Sequence, residues 1–148
     1  MSYVTQIEST INNVFNALNY PIRKEQIIIE DLGVPHKPKG LPHNKMAVYM
    51  FIYEGTFFKI GQAYKNSGAR YLSQHYTGSA PSTLRAQILS DSSMKGYGLT
   101  DDNIANWMKN NLHRINIIID AELGKATLTL IESIMHFKYK PKYEGKSK

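Results

Sequence analysis

The apolar residues Ile7, Ile11, Val14, Phe15 and Leu18 recur at helical spacing, which predicts an amphipathic helix over residues 5–19, ended by Pro21. Ile27, Ile28 and Ile29 read either as a short buried strand or as the end of another apolar element, and periodicity does not separate the two. Residues 32–46 hold Gly33, Pro35, Pro38, Gly40 and Pro42, too many breakers for regular structure, so an extended loop is expected. Val48 to Tyr53 and Phe57 to Ile60 are apolar and aromatic around Glu54, Gly55 and Thr56, a β-hairpin pattern. Three helices are then expected. Asn66 or Ser67 caps one that runs to about Tyr76, Pro81 opens a second through Leu84 and Ile88, and Thr100 caps a third bearing Ile104, Trp107, Met108 and Leu112. Arg114 to Asp120 reads as another strand, and Leu123 to Tyr139 as a long helix stopped near Pro141.

Length and composition narrow the class. The 148 residues suit one domain, and the absence of cysteine excludes disulfides, thiolate zinc sites and a cysteine nucleophile. No basic start leads into an apolar run and no apolar stretch reaches the roughly 20 residues of a membrane span, so no membrane association and a cytoplasmic location are expected.

Charge changes the picture more. The net +6 lies in residues 32–90, where Lys37, Lys39, Lys45, Lys59, Lys65, Arg70 and Arg85 face the single acid Glu54; the remainder balances. Such clustering suits a polyanion binder, with Lys37, Lys39, Lys45, Lys65 and Arg85 as candidate DNA contacts, although a solvated basic surface has the same composition.

Two positions break the apolar pattern. Leu128, Ile131, Glu132 and Met135 follow i, i+3, i+4, i+7, so a carboxylate stands in an apolar stripe. It is either buried against a cation, metal or donors, or at the stripe's edge in reach of water. Lys59 is the one charge in Phe57-Phe58-Lys59-Ile60-Gly61, and the hairpin brings it towards Tyr49 if the register puts both on one face. A lysine beside a phenol favours phenolate, which would let tyrosine act as a base near neutral pH.

Taken in order, Ala47-Val48-Tyr49, Lys59-Ile60-Gly61, Arg70 with His75 behind it, and Glu132 followed by Lys140-Pro141-Lys142-Tyr143 resemble the motifs of the GIY-YIG nucleases over residues 46–143. The resemblance implies an α+β fold, a small three-stranded antiparallel sheet flanked by helices. Residues 1–45 would then be an N-terminal helix and basic loop packed on the core, and 144–148 a tail. It also implies roles: Tyr49 activates water, Arg70 binds the scissile phosphate, and Glu132 holds the Mg²⁺ (or Mn²⁺) ion. Lys59 stands where most members have a second tyrosine, as in a branch containing restriction endonucleases. Ala47 replaces the first signature glycine, Gln74 stands four residues after Arg70 where many relatives have His or Tyr, and Glu144 replaces a late asparagine. His75, one position on, is a candidate substitute for the missing histidine.

The implied function is metal-dependent endonuclease cleavage of double-stranded DNA, restriction-type in character. Cutting both strands favours a two-fold homodimer, though no interface is legible. The alternative is a non-catalytic nucleic-acid-binding module with the same fold, motivated by Ala47, Gln74 and Glu144. Asp120, Glu122 and Lys125 are poorly spaced for another nuclease metal site, and His36 with His43, two loop histidines without cysteines, are expected on the surface rather than on zinc.

Overall fold

The computed structural model describes residues 2–78 and 83–143. Helix α1 (Tyr3–Ala17) is capped by Ser2, whose side chain accepts from the Thr5 N–H, and it buries Ile7, Ile11 and Phe15. Strands β1 (Ile27–Gly33), β2 (Lys45–Tyr53), β3 (Thr56–Ala63) and β4 (His113–Asp120) form one antiparallel sheet in the order β1-β4-β2-β3. The sheet therefore has four strands where three were expected. The extra strand is the Ile27-Ile28-Ile29 segment, continued to Gly33, and of its residues paired with β4 only Gly33 falls in the segment 32–46 expected to be an extended loop.

A tight turn joins β2 to β3, with Glu54 at φ 46° and Gly55 at φ 83°. Two successive positive φ values suit the right-handed twist of a hairpin, which is why a glycine follows Glu54 here. A bulge shifts the register between Phe51, opposite Lys59, and Ile52, opposite Phe57.

Alternation along β2 and β4 sorts the side chains onto two faces. Met46, Val48, Met50, Ile52, Ile115, Ile117 and Ile119 meet α1 and α5 (Lys125–Tyr139), whose Leu128, Ile131 and Met135 are fully buried. Ala47, Tyr49, Phe51, Arg114, Asn116 and Ile118 take the opposite face. A π-helical segment (Arg70–Gln74), α2 (His75–Thr77), α3 (Leu84–Leu89) and α4 (Ile104–Asn111) belong to this second side of the molecule. Thr83 caps α3 through its side chain; Pro81, expected to open this helix, and Glu144 lie outside the described residues.

Helix α5 runs antiparallel to the edge strand β3. The Tyr139 ring stacks on Phe57 at 4.1 Å, and His136 Nε2 donates to the Ile60 carbonyl at 2.9 Å. Past α5 the chain returns along the same edge, where the Lys142 and Tyr143 N–H groups donate to the Phe57 and Phe58 carbonyls, each at 2.8 Å. Among the described residues no helix is long and apolar enough to cross a membrane.

Candidate active site

Tyr49 is opposite Gly61 and Phe51 is opposite Lys59, so Tyr49 and Lys59 share a face as diagonal neighbours. The Tyr49 ring lies flat over Gly61: a Cβ there would sit 2.5 Å from the phenolic oxygen. Gly61 is a place for the ring.

The phenolic oxygen is a hydrogen-bond hub. Leu84 N–H donates to His75 Nδ1 at 3.0 Å, so that nitrogen must carry the lone pair. In neutral His75 the proton is then on Nε2, which donates to the Tyr49 oxygen at 2.6 Å. Burial holds His75 neutral, with its pKa down to about 3, helped by the charges of Arg70, Lys59 and Arg114. Arg70 hydrogen-bonds the same oxygen.

The π-helical segment explains why residue 75 is in this position. An α-helix would bring residue 74 one turn beyond Arg70, but a π-turn is wider by one residue and brings His75 instead. Gln74 therefore loses the place that its spacing suggested, and His75 gains it.

Lys59 is 5% exposed, and its Nζ donates to Gln87 Oε1 at 2.9 Å. Burial first and the charge of Arg70 second lower its pKa to about 8, against the opposing charge of Glu132. Glu132 is half-buried one helical turn before His136, which places it beside the β3 edge. Burial raises its pKa, against the charges of His136 and Lys59. Its own charge acts on Tyr49 as well as on Lys59, so the five side chains share one electrostatic neighbourhood.

One sequence expectation changes. Lys59 was expected to lower the Tyr49 pKa, but burial is the largest influence and raises it. The cations opposing that rise are Arg70 and Arg114. Tyr49 is fully buried, and the low-dielectric surroundings penalise phenolate more than one nearby lysine relieves.

The basic residues are placed unevenly. Lys37 and Lys65 are exposed and Lys45 is half-buried at the start of β2, whereas Lys39 is exposed and pairs with Glu30 at 3.5 Å. Arg85 is turned inward: it donates to the Tyr76 carbonyl at 3.2 Å and to Asp101 Oδ1 at 3.0 Å, and so ties α2 to the start of α4. His36, expected on the surface, is buried. Its Nδ1–H donates to the Leu112 carbonyl at 2.6 Å and its Nε2 accepts from the Tyr76 hydroxyl at 2.7 Å, which anchors the loop to the end of α4 and to α2.

Sequence reasoning missed Tyr71, Tyr76, Arg114 and Asn116. A signal was present in β4, where Arg114 and Asn116 alternate with Ile115, Ile117 and Ile119, a strict period of two that assigns both polar residues to one face.

The donor set can be tested against a metal. Among the described residues no group of three or more His, Cys, Asp or Glu is placed to hold one. A hard cation that keeps most of its waters needs only one carboxylate, and Glu132 supplies it.

Comparison of the chain with protein-family models, with curated proteins and with solved structures finds no match. Fold and site define the class by themselves: an antiparallel α+β domain in which two strands and the neighbouring helices bring a tyrosine, two cations, a histidine and a carboxylate into one electrostatic neighbourhood.

Proposed function

We propose that the protein is a Mg²⁺-dependent (or Mn²⁺-dependent) endonuclease that hydrolyses phosphodiester bonds of double-stranded DNA, in the manner of the GIY-YIG nucleases. The observation that carries this reading is the Tyr49 oxygen, which receives hydrogen bonds from Arg70 and from His75 Nε2, beside Lys59 and within reach of the Glu132 charge. Two donors on one phenol oxygen favour its anionic form, as a tyrosine general base requires.

Each residue has a task. Tyr49 accepts a proton from the attacking water and His75 holds the phenolic oxygen in place. Arg70 leaves that oxygen for the scissile phosphate, which frees the phenol to act, and Lys59 adds a second positive charge against the developing phosphorane. Glu132 would hold the divalent cation, which supplies charge neutralisation at the leaving 3′ oxygen. Two copies of the chain related by a two-fold axis would present one such site to each strand.

A second reading is a non-catalytic nucleic-acid-binding module. The complete burial and raised pKa of Tyr49 favour it.

Supercoiled plasmid incubated with the protein and Mg²⁺ decides between them. Nicking by the wild type, lost in Tyr49→Phe, Lys59→Ala and Glu132→Ala, supports the enzyme. Retardation of DNA without nicking under Mg²⁺ or Mn²⁺ supports the module.

A further inference from the structure

Arg114 is 1% exposed and among the largest fully buried side chains of the protein. Its guanidinium has no carboxylate within ion-pair distance among the described residues. Nε donates to Asn116 Oδ1 at 3.0 Å, Nη1 to the Tyr76 hydroxyl at 2.9 Å and Nη2 to the Tyr71 carbonyl at 2.6 Å. The acid that closes this network, Glu30, is one link away and accepts from Asn116 Nδ2 at 3.1 Å. Four rings surround the cation, those of Tyr49, Phe51, Tyr71 and Tyr76, with centroids at 5.6, 5.0, 4.8 and 5.9 Å. A buried charge held this way stabilises a fold no better than well-packed apolar residues of the same volume. Its placement therefore calls for another account.

We propose that Arg114 is a positioning residue for Tyr49: it fastens the helix that carries Arg70 and His75 to the sheet, and its unneutralised charge favours the Tyr49 phenolate. The inference rests on reading Tyr49 as the base. Arg114 grips the residue next to each partner of the phenol, since Tyr71 follows Arg70 and Tyr76 follows His75. The bond from Tyr76 to His36 carries the same chain of hydrogen bonds out to the loop.

The charge matters as much as the grip. Around Tyr49 stand Arg70 and His75 from the helical side, Lys59 on β3, Glu132 on α5 and Arg114 on β4. His75 is neutral, Glu132 opposes phenolate, and Arg70 and Lys59 are the cations assigned to the incoming phosphate. Arg114 lies beneath the ring, beyond contact with a phosphate, so its influence persists while theirs is diverted. Its charge lowers the Tyr49 pKa in opposition to burial.

The test places a fluorinated tyrosine, whose phenol ionises at lower pH, at position 49 and follows its ¹⁹F resonance through a pH titration. Three proteins are compared: the otherwise unchanged chain, Arg114→Gln and Arg114→Lys. Removing the charge should raise the phenol midpoint by about one pH unit or more, while the lysine variant should stay within a few tenths of the parent. An unmoved midpoint in folded Arg114→Gln overturns the proposal, and so does an equal rise in both variants, because lost packing alone would then account for it. If Arg114→Gln does not fold, the lysine variant decides: a rise of a full unit with the charge retained is equally fatal, and an unmoved midpoint supports the proposal. The titration needs no DNA cleavage. A wild type that never nicks plasmid removes the nuclease reading, whereas an unmoved midpoint in an active enzyme removes only the role of Arg114.

Discussion

The Tyr49 ring rests on Gly61 so closely that a methyl group at position 61 would stand 2.6 Å from the ring carbon bearing the hydroxyl. The backbone of Gly61 is not in the left-handed region, so steric exclusion is the whole reason for glycine here. Gly61→Ala should therefore displace the phenol from His75 and Arg70. The expected result is nicking slower by about 100-fold or more with a stability loss of about 1–3 kcal/mol, checked by plasmid nicking beside thermal melting. Full activity in the alanine variant would mean that the ring position is unimportant.

His75 remains neutral down to about pH 3, so its Nε2 keeps its proton, and its hydrogen bond to Tyr49, through the working range. The nicking rate measured between pH 5 and 8 should show no limb at the ordinary histidine pKa near 6.5. His75→Phe should lower the rate about 10- to 100-fold across that range, through loss of one donor to the phenol oxygen. A wild-type limb near pH 6.5 that vanishes in the variant would show a titrating, not a fixed, imidazole.

Lys59 loses its proton at about pH 8 in the folded chain, against an ordinary value of 10.5. In the window between these values the unfolded chain binds more protons, so wild-type stability rises with pH across it, and the charge costs stability fully below it. Lys59→Met removes that cost. The variant should be more stable than wild type by about 1–2 kcal/mol at pH 7, with the advantage shrinking towards pH 10, and it should be inactive. Urea unfolding at the two pH values measures this, and an advantage that grows with pH would contradict it.

Arg85 and the exposed lysines should separate in a salt titration of DNA affinity. Replacing Lys37 or Lys65 by alanine should lower the slope of log affinity against log salt by about one each, if those residues meet phosphates. Arg85→Ala should leave the slope unchanged and lower stability by about 1 kcal/mol, because its donors are spent on Tyr76 and Asp101. Fluorescence anisotropy over a NaCl series distinguishes the two classes.

Residue pattern alone determined the outline: the N-terminal helix, the hairpin around Gly55, the Ile-rich strand and the long helix with its misplaced carboxylate at Glu132. These are legible because each is a local property, either a period of two or 3.6 in burial or a residue that permits one turn. The fourth strand was not, since pairing along β1 is a contact with β4 more than eighty residues away, and an Ile triplet fits a strand or a helix equally well. Only the tertiary structure decided the rest. It set the register that puts Lys59 on the face of Tyr49, inserted the π-turn that exchanges Gln74 for His75, buried the loop residue His36, and placed Arg114 beneath the phenol. The reason is one of range. Periodicity reports which way a side chain faces its own element, whereas the electrostatic surroundings of a phenol are built from groups on four other segments, and their distances exist only after the sheet has closed.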